Sequence, residues 1–427
     1  MLRIGARIFS LLVSLLCGAS ALAADIRLWH SMNAAHGAEF ERIVARFNAS
    51  QKQFRVVATY KGAYDEAAVE AVTARGSRNF GARAPHIVQA SELGGAFLLD
   101  QKDAARPLWQ VMPEAGAVLR AEAALGGAEE LVDAEGRLLA LPLGSATPVL
   151  YYNRDAFRRA GLDPAKPPAT WYDMVPTLAA LLSSGSDCAL TMAWPASTLL
   201  ENMAAWHNQA FATDRLMFNN RLAVRWVSTL ATWQKSGYFT YAGGRGEAEA
   251  RFVAGECALL AASSANYDEL RGRAKFDVGI AQFPYYDDFD GAPLNTLASG
   301  SAFWVMAGRP AADYAGVARF LAFFARPEVQ AEWHQRTGLV PLNAAAYEIT
   351  RKAGFYKAHP GHEIAVRQLL LRGTPNWKSL RLGQFPKLRS IIDEELESTW
   401  QGGKSPVDAL NHAVARGNAF LDKQTEK

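Results

Sequence analysis

The sequence predicts an α/β fold divided into two lobes. Strand-like and helix-like segments alternate from Ile26 to Gln89, and the alternation starts again at Leu138. The chain has 427 residues and is 50% hydrophobic, which is enough to bury more than one core. A β-α-β-α-β order favours mostly parallel sheets that are covered by helices.

The elements of the first lobe begin with a short hydrophobic strand at Ile26–Trp29. Apolar residues at helical spacing then predict a helix with glutamate and arginine on its other face. Those apolar residues are Phe40, Ile43, Val44 and Phe47. A strand at Phe54–Tyr60, a helix at Ala67–Ala74 and a strand at His86–Gln89 complete the pattern. This order predicts a parallel sheet.

A second run of strands and helices predicts the second lobe. Strands are predicted at Leu138–Leu143 and Pro148–Tyr152, and Thr170 is suited to cap a helix that follows it. Two further strands and a helix between them are predicted at Ala189–Trp194, Leu199–Phe211 and Cys257–Ala262. Two α/β lobes therefore account for the length of the chain.

The N-terminal segment, residues 1–23, has the pattern of a secretory signal peptide. Two arginines precede the apolar run Ile8–Leu16, and small residues at Ala21 and Ala23 form a cleavage pattern. An uncleaved anchor is the alternative, although the run is short for a spanning helix. Cleavage removes the two arginines and lowers the formal charge from +3 to +1, which gives no footprint for nucleic acid. The sequence therefore predicts export from the cytoplasm.

Motifs for catalysis and metal binding are missing from the sequence. There is no G-x-S-x-G, H-E-x-x-H or Walker A motif, so we expect neither an enzyme nor a cofactor. His30 and His36 are more typical of ordinary polar contacts than of a metal site. Cys188 and Cys257 remain after signal removal, and export permits a disulfide between them. Two buried thiols are the open alternative.

Polar and aromatic residues follow several predicted strands, which is where open α/β sheets bind ligands. They are His30, Ser31, Tyr64, Glu92, Ser145, Trp194 and Ser263. Carboxylates accept hydrogen bonds from hydroxyls, and aromatic faces cover carbon atoms. The set therefore predicts a cleft for a small polyol.

Arg389 indicates an anion. Pro386 suits the first turn of a helix, and this places Arg389 in that turn, where the helix dipole disfavours a cation. A bound phosphate would match the planar donor fork of the arginine. Ser263 and the backbone around Gly300 would supply further donors. A surface ion pair is the alternative explanation.

Six segments in order carry a resemblance to a known family. They are Trp29-His30-Ser31-Met32, Tyr60-Lys61-Gly62-Ala63-Tyr64, Thr147-Pro148-Val149-Leu150-Tyr151-Tyr152-Asn153, Leu200-Glu201-Asn202, Glu332-Trp333-His334-Gln335 and Asp393-Glu394-Glu395-Leu396-Glu397-Ser398. With these segments the chain resembles the periplasmic sn-glycerol-3-phosphate-binding proteins of ABC importers, in the maltose-binding-protein class of solute-binding proteins. The similarity runs from about Ile26 to near the C-terminus.

The resemblance implies two α/β lobes that close on a ligand about a hinge. We expect lobe 1 at residues 24–143 and 266–326, and lobe 2 at residues 144–265 and 327–427. The implied ligand is a small glycerol phosphoester. The implied partners are an ABC permease pair and its cytoplasmic ATPase, and the chain is expected to be a monomer that binds no nucleic acid.

The resemblance also implies which residues bind ligand. The predicted set is Tyr64, Glu92, Ser145, Trp194, Ser263, Gly300 and Arg389. The tyrosine and glutamate would hold glycerol hydroxyls, and the tryptophan would pack on the glycerol carbons. The last three residues would surround the phosphate. Ser145 comes from the strand-end argument rather than from the resemblance, and either Ser145 or Ser197 would replace the lost donor.

Three positions depart from the family pattern. Ala146 replaces a serine that contacts ligand, Leu339 replaces a tyrosine, and Ser197 replaces a pocket tryptophan. Each lost neutral hydrogen bond is worth about 0.5–1.5 kcal/mol, so an unchanged ligand would bind roughly tenfold to a hundredfold more weakly. Alternatively, a larger and less polar pocket suits a glycerophosphodiester such as glycerophosphocholine. A neutral sugar or polyol remains a second candidate, and hydrolysis of a phosphoester by a secreted enzyme a third.

Overall fold

A computed structural model of the chain provides the fold. It describes residues 23–62, 66–73, 84–101, 103–120, 124–125, 131–193, 197–243, 246–371, 373 and 385–425. Residues 1–22 of the predicted signal peptide lie outside this range, as do Tyr64 and Trp194. None of the described helices has the length and hydrophobicity that crossing a membrane requires.

The first sheet contains six strands. They are β1 (Ala24–His30), β2 (Phe54–Tyr60), β3 (Ile87–Ala90), β4 (Ala105–Arg106), β5 (Leu141–Ala146) and β11 (Ser299–Met306). β1 pairs in parallel with β2 and β3, as the β-α-β-α-β order predicts. β11 pairs antiparallel with β3, β4 and β5. A strand from far along the chain therefore completes this sheet.

The second sheet contains five strands in the order β10-β6-β9-β7-β8. They are β6 (Pro148–Asn153), β7 (Cys188–Met192), β8 (Phe239–Thr240), β9 (Cys257–Ser263) and β10 (Val278–Gln282). Cys188 and Cys257 lie opposite each other on the parallel strands β7 and β9, and a disulfide joins them. The structure thus decides between the two states that the sequence left open.

Helices cover both sheets. In the first half of the chain they are α1 (Ala34–Ser50), α2 (Glu66–Thr73), α3 (Glu92–Asp100), α4 (Leu108–Val111), α5 (Arg154–Arg159), α6 (Trp171–Ser183) and α7 (Ser197–Trp206). The others are α8 (Arg221–Lys235), α9 (Glu247–Val253), α10 (Tyr267–Arg273), α11 (Ala311–Phe324), α12 (Pro327–Thr337), α13 (Ala344–Lys352), α14 (Phe355–Ala358), α15 (Pro360–Gln368), α16 (Phe385–Trp400) and α17 (Pro406–Thr425). Two sheets with covering helices confirm the predicted two-lobed α/β fold.

Side-chain caps fix where two of these helices begin. The side-chain oxygen of Asn33 accepts a hydrogen bond from the backbone of His36 at 2.8 Å and caps α1. Thr170 and Asp173 form a reciprocal capping box at the start of α6, with distances of 3.0 and 3.1 Å. The predicted cap at Thr170 is therefore confirmed. All four apolar residues predicted on the buried face of α1 are buried.

Each sheet has its own hydrophobic core. In the first, the ring of Phe40 lies 5.4 Å from that of Phe303, between α1 and β11. In the second, the ring of Trp171 lies 6.2 Å from that of Trp226 and 5.7 Å from that of Phe283. Such aromatic pairs contribute about 0.5–1.5 kcal/mol beyond the area they bury.

The chain crosses from the first sheet to the second at Thr147, the single residue between β5 and β6. Its Oγ1 donates a hydrogen bond to Oγ1 of Thr296 at 2.6 Å, and its backbone N–H donates to Oγ of Ser264 at 3.1 Å. Ser264 directly follows β9, and Thr296 shortly precedes β11. All three residues are buried. Hydrogen bonds of hydroxyl groups therefore connect Thr147 to the segment that follows β9 and to the segment that precedes β11.

Sheet membership in the structure differs from the predicted lobe limits. β10 lies beyond residue 266, but all five of its residues pair with β6 in the second sheet. α12 lies beyond residue 327, but its Val329 and Trp333 pack in the core of the first sheet. β5 also begins at Leu141 rather than at Leu138. Contacts between residues that are far apart in the sequence, namely strand pairing for β10 and core packing for α12, decide which sheet each of these segments joins.

Candidate ligand-binding site

A cavity of about 370 Å³ lies where the two sheets meet, on both sides of the crossing at Thr147. This volume falls within the range of small-molecule sites. The described residues that line it are Ser31, Met32, Asn33, His36, Gln89, Leu143, Gly144, Ala146, Thr147, Pro148, Ala193, Thr198, Leu199, Ala262, Ser263, Ala265, Ser299, Gly300, Ser301, Trp333 and Leu339. Both lobes therefore contribute to one site.

The described lining carries hydroxyl, amide, indole and imidazole groups, and it has no carboxylate, ammonium or guanidinium group. Its titratable member is His36, whose ring lies 6.2 Å from that of Trp333. Burial lowers the pKa of His36 below 6.5, and a hydrogen bond with the backbone of Thr337 partly opposes this shift. Burial therefore favours the neutral form of this imidazole.

Ser263 lies at the carboxyl end of β9 and lines the cavity, as the strand-end argument predicts. Its Oγ accepts a hydrogen bond from the backbone N–H of Ala265 at 3.3 Å. Its carbonyl accepts one from the hydroxyl of Tyr151 at 2.7 Å. Because the Oγ acts as an acceptor in this bond, its own hydrogen can be donated to a ligand.

Gly300 also lines the cavity, on β11. A β-carbon at this position would lie 2.2 Å from the carbonyl oxygen of Gly144 and 3.1 Å from Cα of Ser145. The close approach of β5 therefore requires glycine here, whether or not an anion is bound. The close approach of a phosphate to Gly300, which the sequence suggested, stays a prediction beside this structural reason for the glycine.

Ser145 is buried, and it is not among the residues that line the cavity. Its backbone pairs with Gly300 on β11, and its carbonyl accepts a hydrogen bond from the N–H of Val340 at 2.7 Å. Both neighbours, Gly144 and Ala146, line the cavity. The structure therefore brings Ala146 to the site, where the resemblance expects a serine, and it does not bring Ser145 there.

Arg389 lies on α16, in the first turns of the predicted helix, and pairs with Glu201 on α7. Its Nε and Nη2 donate to the two carboxylate oxygens at 3.0 and 2.7 Å. The Glu201 side chain is 1% exposed and that of Arg389 16%, so this is a buried pair. Arg389 is not among the residues that line the cavity. Glu201 is nevertheless on the helix that contributes Thr198 and Leu199 to the cavity wall.

Four residues that the sequence singles out have side chains outside the described part of the structure. Tyr64 and Trp194 lie outside the described residues, as do the side chains of Glu92 and Ser197. Glu92 is the first residue of α3 and Ser197 the first of α7. Their assignment to the ligand stays a prediction.

Sequence reasoning missed several residues that line the cavity, including Gln89, Thr147 and Trp333. Gln89 is the last residue of a predicted strand, so the strand-end argument would have found it. Thr147 and Trp333 belong to segments that carry the family resemblance, but no local pattern marks them as lining a site.

Acidic, histidine and cysteine side chains are not gathered into a metal site in the part of the chain that the structure describes. His30 is buried, with its ring 5.7 Å from that of Phe40. His36 lies in the cavity wall instead.

Comparison with known proteins identifies relatives over nearly the whole chain. A family model described as bacterial extracellular solute-binding protein matches residues 42–363. The chain is 40% identical over 420 residues to the sn-glycerol-3-phosphate-binding periplasmic protein UgpB of Pectobacterium atrosepticum, covering 96% of this chain and 94% of the relative. It is 40% identical over 432 residues to the protein of the same name from Escherichia coli O1:K1 / APEC, covering 98% and 97%.

Solved structures with a similar fold include two binding proteins. One is UgpB from Mycobacterium tuberculosis in complex with glycerophosphocholine, with a TM-score of 0.77 at 20% identity, covering 94% of this chain and 100% of that chain. The other is the cyclic alpha-maltosyl-1,6-maltose binding protein from Arthrobacter globiformis, with the same TM-score, identity and coverage. At this identity the likeness establishes the two-lobed fold.

Proposed function

We propose that this chain, which belongs to the bacterial extracellular solute-binding proteins, captures sn-glycerol 3-phosphate or a glycerophosphodiester for an ABC importer. The cavity between the two sheets carries this proposal, in a chain that is 40% identical to relatives named for binding sn-glycerol 3-phosphate. Those relatives are named as binding proteins, in agreement with the prediction that the chain is not an enzyme.

In this proposal the phosphate lies against β9 and β11. The Ser263 hydroxyl donates to a phosphate oxygen, and the backbone at Gly300 lies close to the ligand. Arg389 supplies positive charge from α16, where its bond to Glu201 connects it to the helix behind Thr198. An arginine that shares its donors between a carboxylate and a phosphate can hold both in charge-assisted bonds.

The glycerol hydroxyls then lie towards the end of β3. Glu92 begins α3, two residues after the last residue of β3, and Gln89 of that strand lines the cavity. A carboxylate there would accept hydrogen bonds from glycerol hydroxyls. Tyr64 and Trp194 complete this end of the site in the proposal, on the family resemblance.

A neutral sugar or polyol is the second candidate ligand. The observation that favours it is the absence of any fixed charge from the described lining, together with the engagement of Arg389 by Glu201. A phosphate monoester would carry a charge of about −1.5 to −2 at neutral pH into this site. A diester carries a single negative charge and would lose less solvation energy on binding.

The proposed location is the periplasm, reached through a cleaved signal peptide. This agrees with the names of the relatives, which call them periplasmic, and with the family description, which is extracellular. There the protein would act as a monomer that delivers its ligand to a permease pair driven by a cytoplasmic ATPase.

Calorimetric titration of the purified mature protein tests the ligand. The panel is glycerol 3-phosphate, glycerophosphocholine, maltose and inorganic phosphate. Binding of either phosphoester is expected, and Arg389→Ala should weaken it by several kcal/mol if the phosphate contacts a buried charge. Heat with maltose but with neither phosphoester would refute the ligand and retain the binding-protein class.

A further inference from the structure

The first-sheet side of the cavity holds hydrogen-bond donors that the roles assigned so far do not use. The backbone N–H of Ser31 donates to Oε1 of Gln89 at 2.8 Å. This bond fixes the orientation of the Gln89 amide, because its Nε2 end must then point elsewhere. Both residues line the cavity. An amide donor is therefore held in the cavity wall by a backbone contact.

Two other donors beside this amide are buried without a partner. Oγ of Ser31 and Nε1 of Trp333 make no hydrogen bond to the described part of the chain. The Trp333 side chain is 0% exposed, and the residue lines the cavity. Buried polar groups are nearly always paired, with protein, water or ligand. Because both residues line the cavity, a ligand in the cavity is the partner that their position offers these two atoms.

Gly144 lies beside the Trp333 donor. A β-carbon at Gly144 would lie 3.1 Å from Nε1 of Trp333 and 3.1 Å from Cβ of Leu339. Gly144 itself lines the cavity, so the buried indole nitrogen lies directly behind a residue of the cavity wall that carries no side chain. Leu339, where the resemblance expects a tyrosine, lies at the same place and offers no hydroxyl.

We propose that Oγ of Ser31, Nε2 of Gln89 and Nε1 of Trp333 form a neutral donor wall that binds oxygen atoms of the ligand. The inference rests on the proposed function, because it takes the ligand to be an oxygen-rich phosphoester. The wall receives the hydroxyl and ester oxygens of the glycerol part. Amide and indole N–H groups cannot pair with an ammonium group, so a cationic head group of a diester would lie away from this wall.

Calorimetry on three single variants and two double variants tests the donor wall, with glycerol 3-phosphate and glycerophosphocholine as probes. Ser31→Ala and Trp333→Phe should each raise Kd about 3- to 10-fold, and the double variant about 10- to 100-fold. Gly144→Ala places a methyl group in front of the indole nitrogen, so it should raise Kd as Trp333→Phe does. Combining these two changes should add no further loss, since both remove the same contact.

Trp226→Phe is the matched control. Trp226 is also 0% exposed with an unpaired Nε1, but it lies in the core of the second sheet and does not line the cavity. Its replacement should change Kd less than twofold. Circular dichroism and thermal melting of every variant separate a loss of contact from a loss of folding, and Ser31→Ala removes only one oxygen.

Two outcomes separate this inference from the function on which it rests. If the wild-type protein binds a phosphoester and Ser31→Ala and Trp333→Phe leave its Kd within twofold, the donor wall is refuted while the proposed function stands. If the wild-type protein binds neither phosphoester, the proposed function fails. The same variants then test the wall with maltose, whose unchanged Kd would refute the wall as well.

Discussion

Replacing Glu201 by glutamine tests the buried ion pair between α7 and α16. Glu201 and Arg389 are joined by two hydrogen bonds of 3.0 and 2.7 Å, and their side chains are 1% and 16% exposed. The amide of glutamine retains an oxygen that accepts one of these bonds. It removes, however, the negative charge that Glu201 places beside the largely buried guanidinium of Arg389.

The expected loss follows from this burial. Removing one partner of a buried ion pair costs about 3–5 kcal/mol, because the remaining charge is left buried. We therefore expect Glu201→Gln to lower the free energy of unfolding in urea by that amount. The matched control is Asp422→Asn, which removes the charge that pairs with Arg215. The side chain of Arg215 is 50% exposed and that of Asp422 is 53% exposed. An exposed pair contributes less than about 1 kcal/mol. Equal losses in the two variants would refute the reasoning.

The same variant tests whether a phosphate shares Arg389 with Glu201. A phosphoester would supply the negative charge that Glu201→Gln removes. A fixed concentration of glycerol 3-phosphate should therefore raise the melting temperature more in the variant than in the wild-type protein. Maltose serves as the uncharged control and should raise the melting temperature of the variant and of the wild-type protein by the same amount. A smaller rise with glycerol 3-phosphate in the variant would contradict a phosphate at Arg389.

Two further predictions concern the second lobe. The disulfide between Cys188 and Cys257 spans 69 residues, so replacing both by alanine should lower the free energy of unfolding in urea by about 4 kcal/mol; an unchanged urea midpoint would contradict this. His207 is 0% exposed, and burial lowers its pKa from 6.5 to about 4, so the unfolded chain takes up a proton first as the pH falls. Its contribution to stability is therefore complete above pH 6.5 and is lost between pH 6.5 and about 4, by up to about 3 kcal/mol. His207→Gln should flatten this part of the pH profile of urea unfolding, and an unchanged profile would contradict the assignment to His207.

Local patterns predicted the elements whose structure depends on local contacts. The strand predicted at Phe54–Tyr60 has the same bounds in the structure, and the helix that Thr170 was expected to cap begins at Trp171. Side-chain alternation and helix caps act within a few residues, so they can be read along the chain. Such local patterns do not predict the pairing of β11, because it pairs with three strands from separate parts of the sequence.

The site shows the same division between local and distant causes. Ser263 was predicted to line the site because it ends a strand, and the structure places it in the cavity wall. The position of Arg389 in its helix left two explanations open, a bound phosphate and a surface ion pair. The structure shows a buried ion pair with Glu201, 188 residues away, which no local pattern identifies, and the phosphate contact stays a prediction. Only the packing of α16 on α7 brings the two residues together.

The position of Ser145 bears on how the pocket can compensate for its missing hydroxyl. Ala146 lines the cavity, whereas its neighbour Ser145 is buried and is not among the residues that line it. The hydroxyl of Ser145 is therefore not placed to donate to a ligand in the cavity. Ser31 after β1 and Trp333 on α12 do line the cavity, and each carries a buried donor without a partner. The proposed donor wall rests on these residues, which lie far from Ala146 in the sequence, so its variants test whether the pocket binds its ligand without a hydroxyl at Ala146.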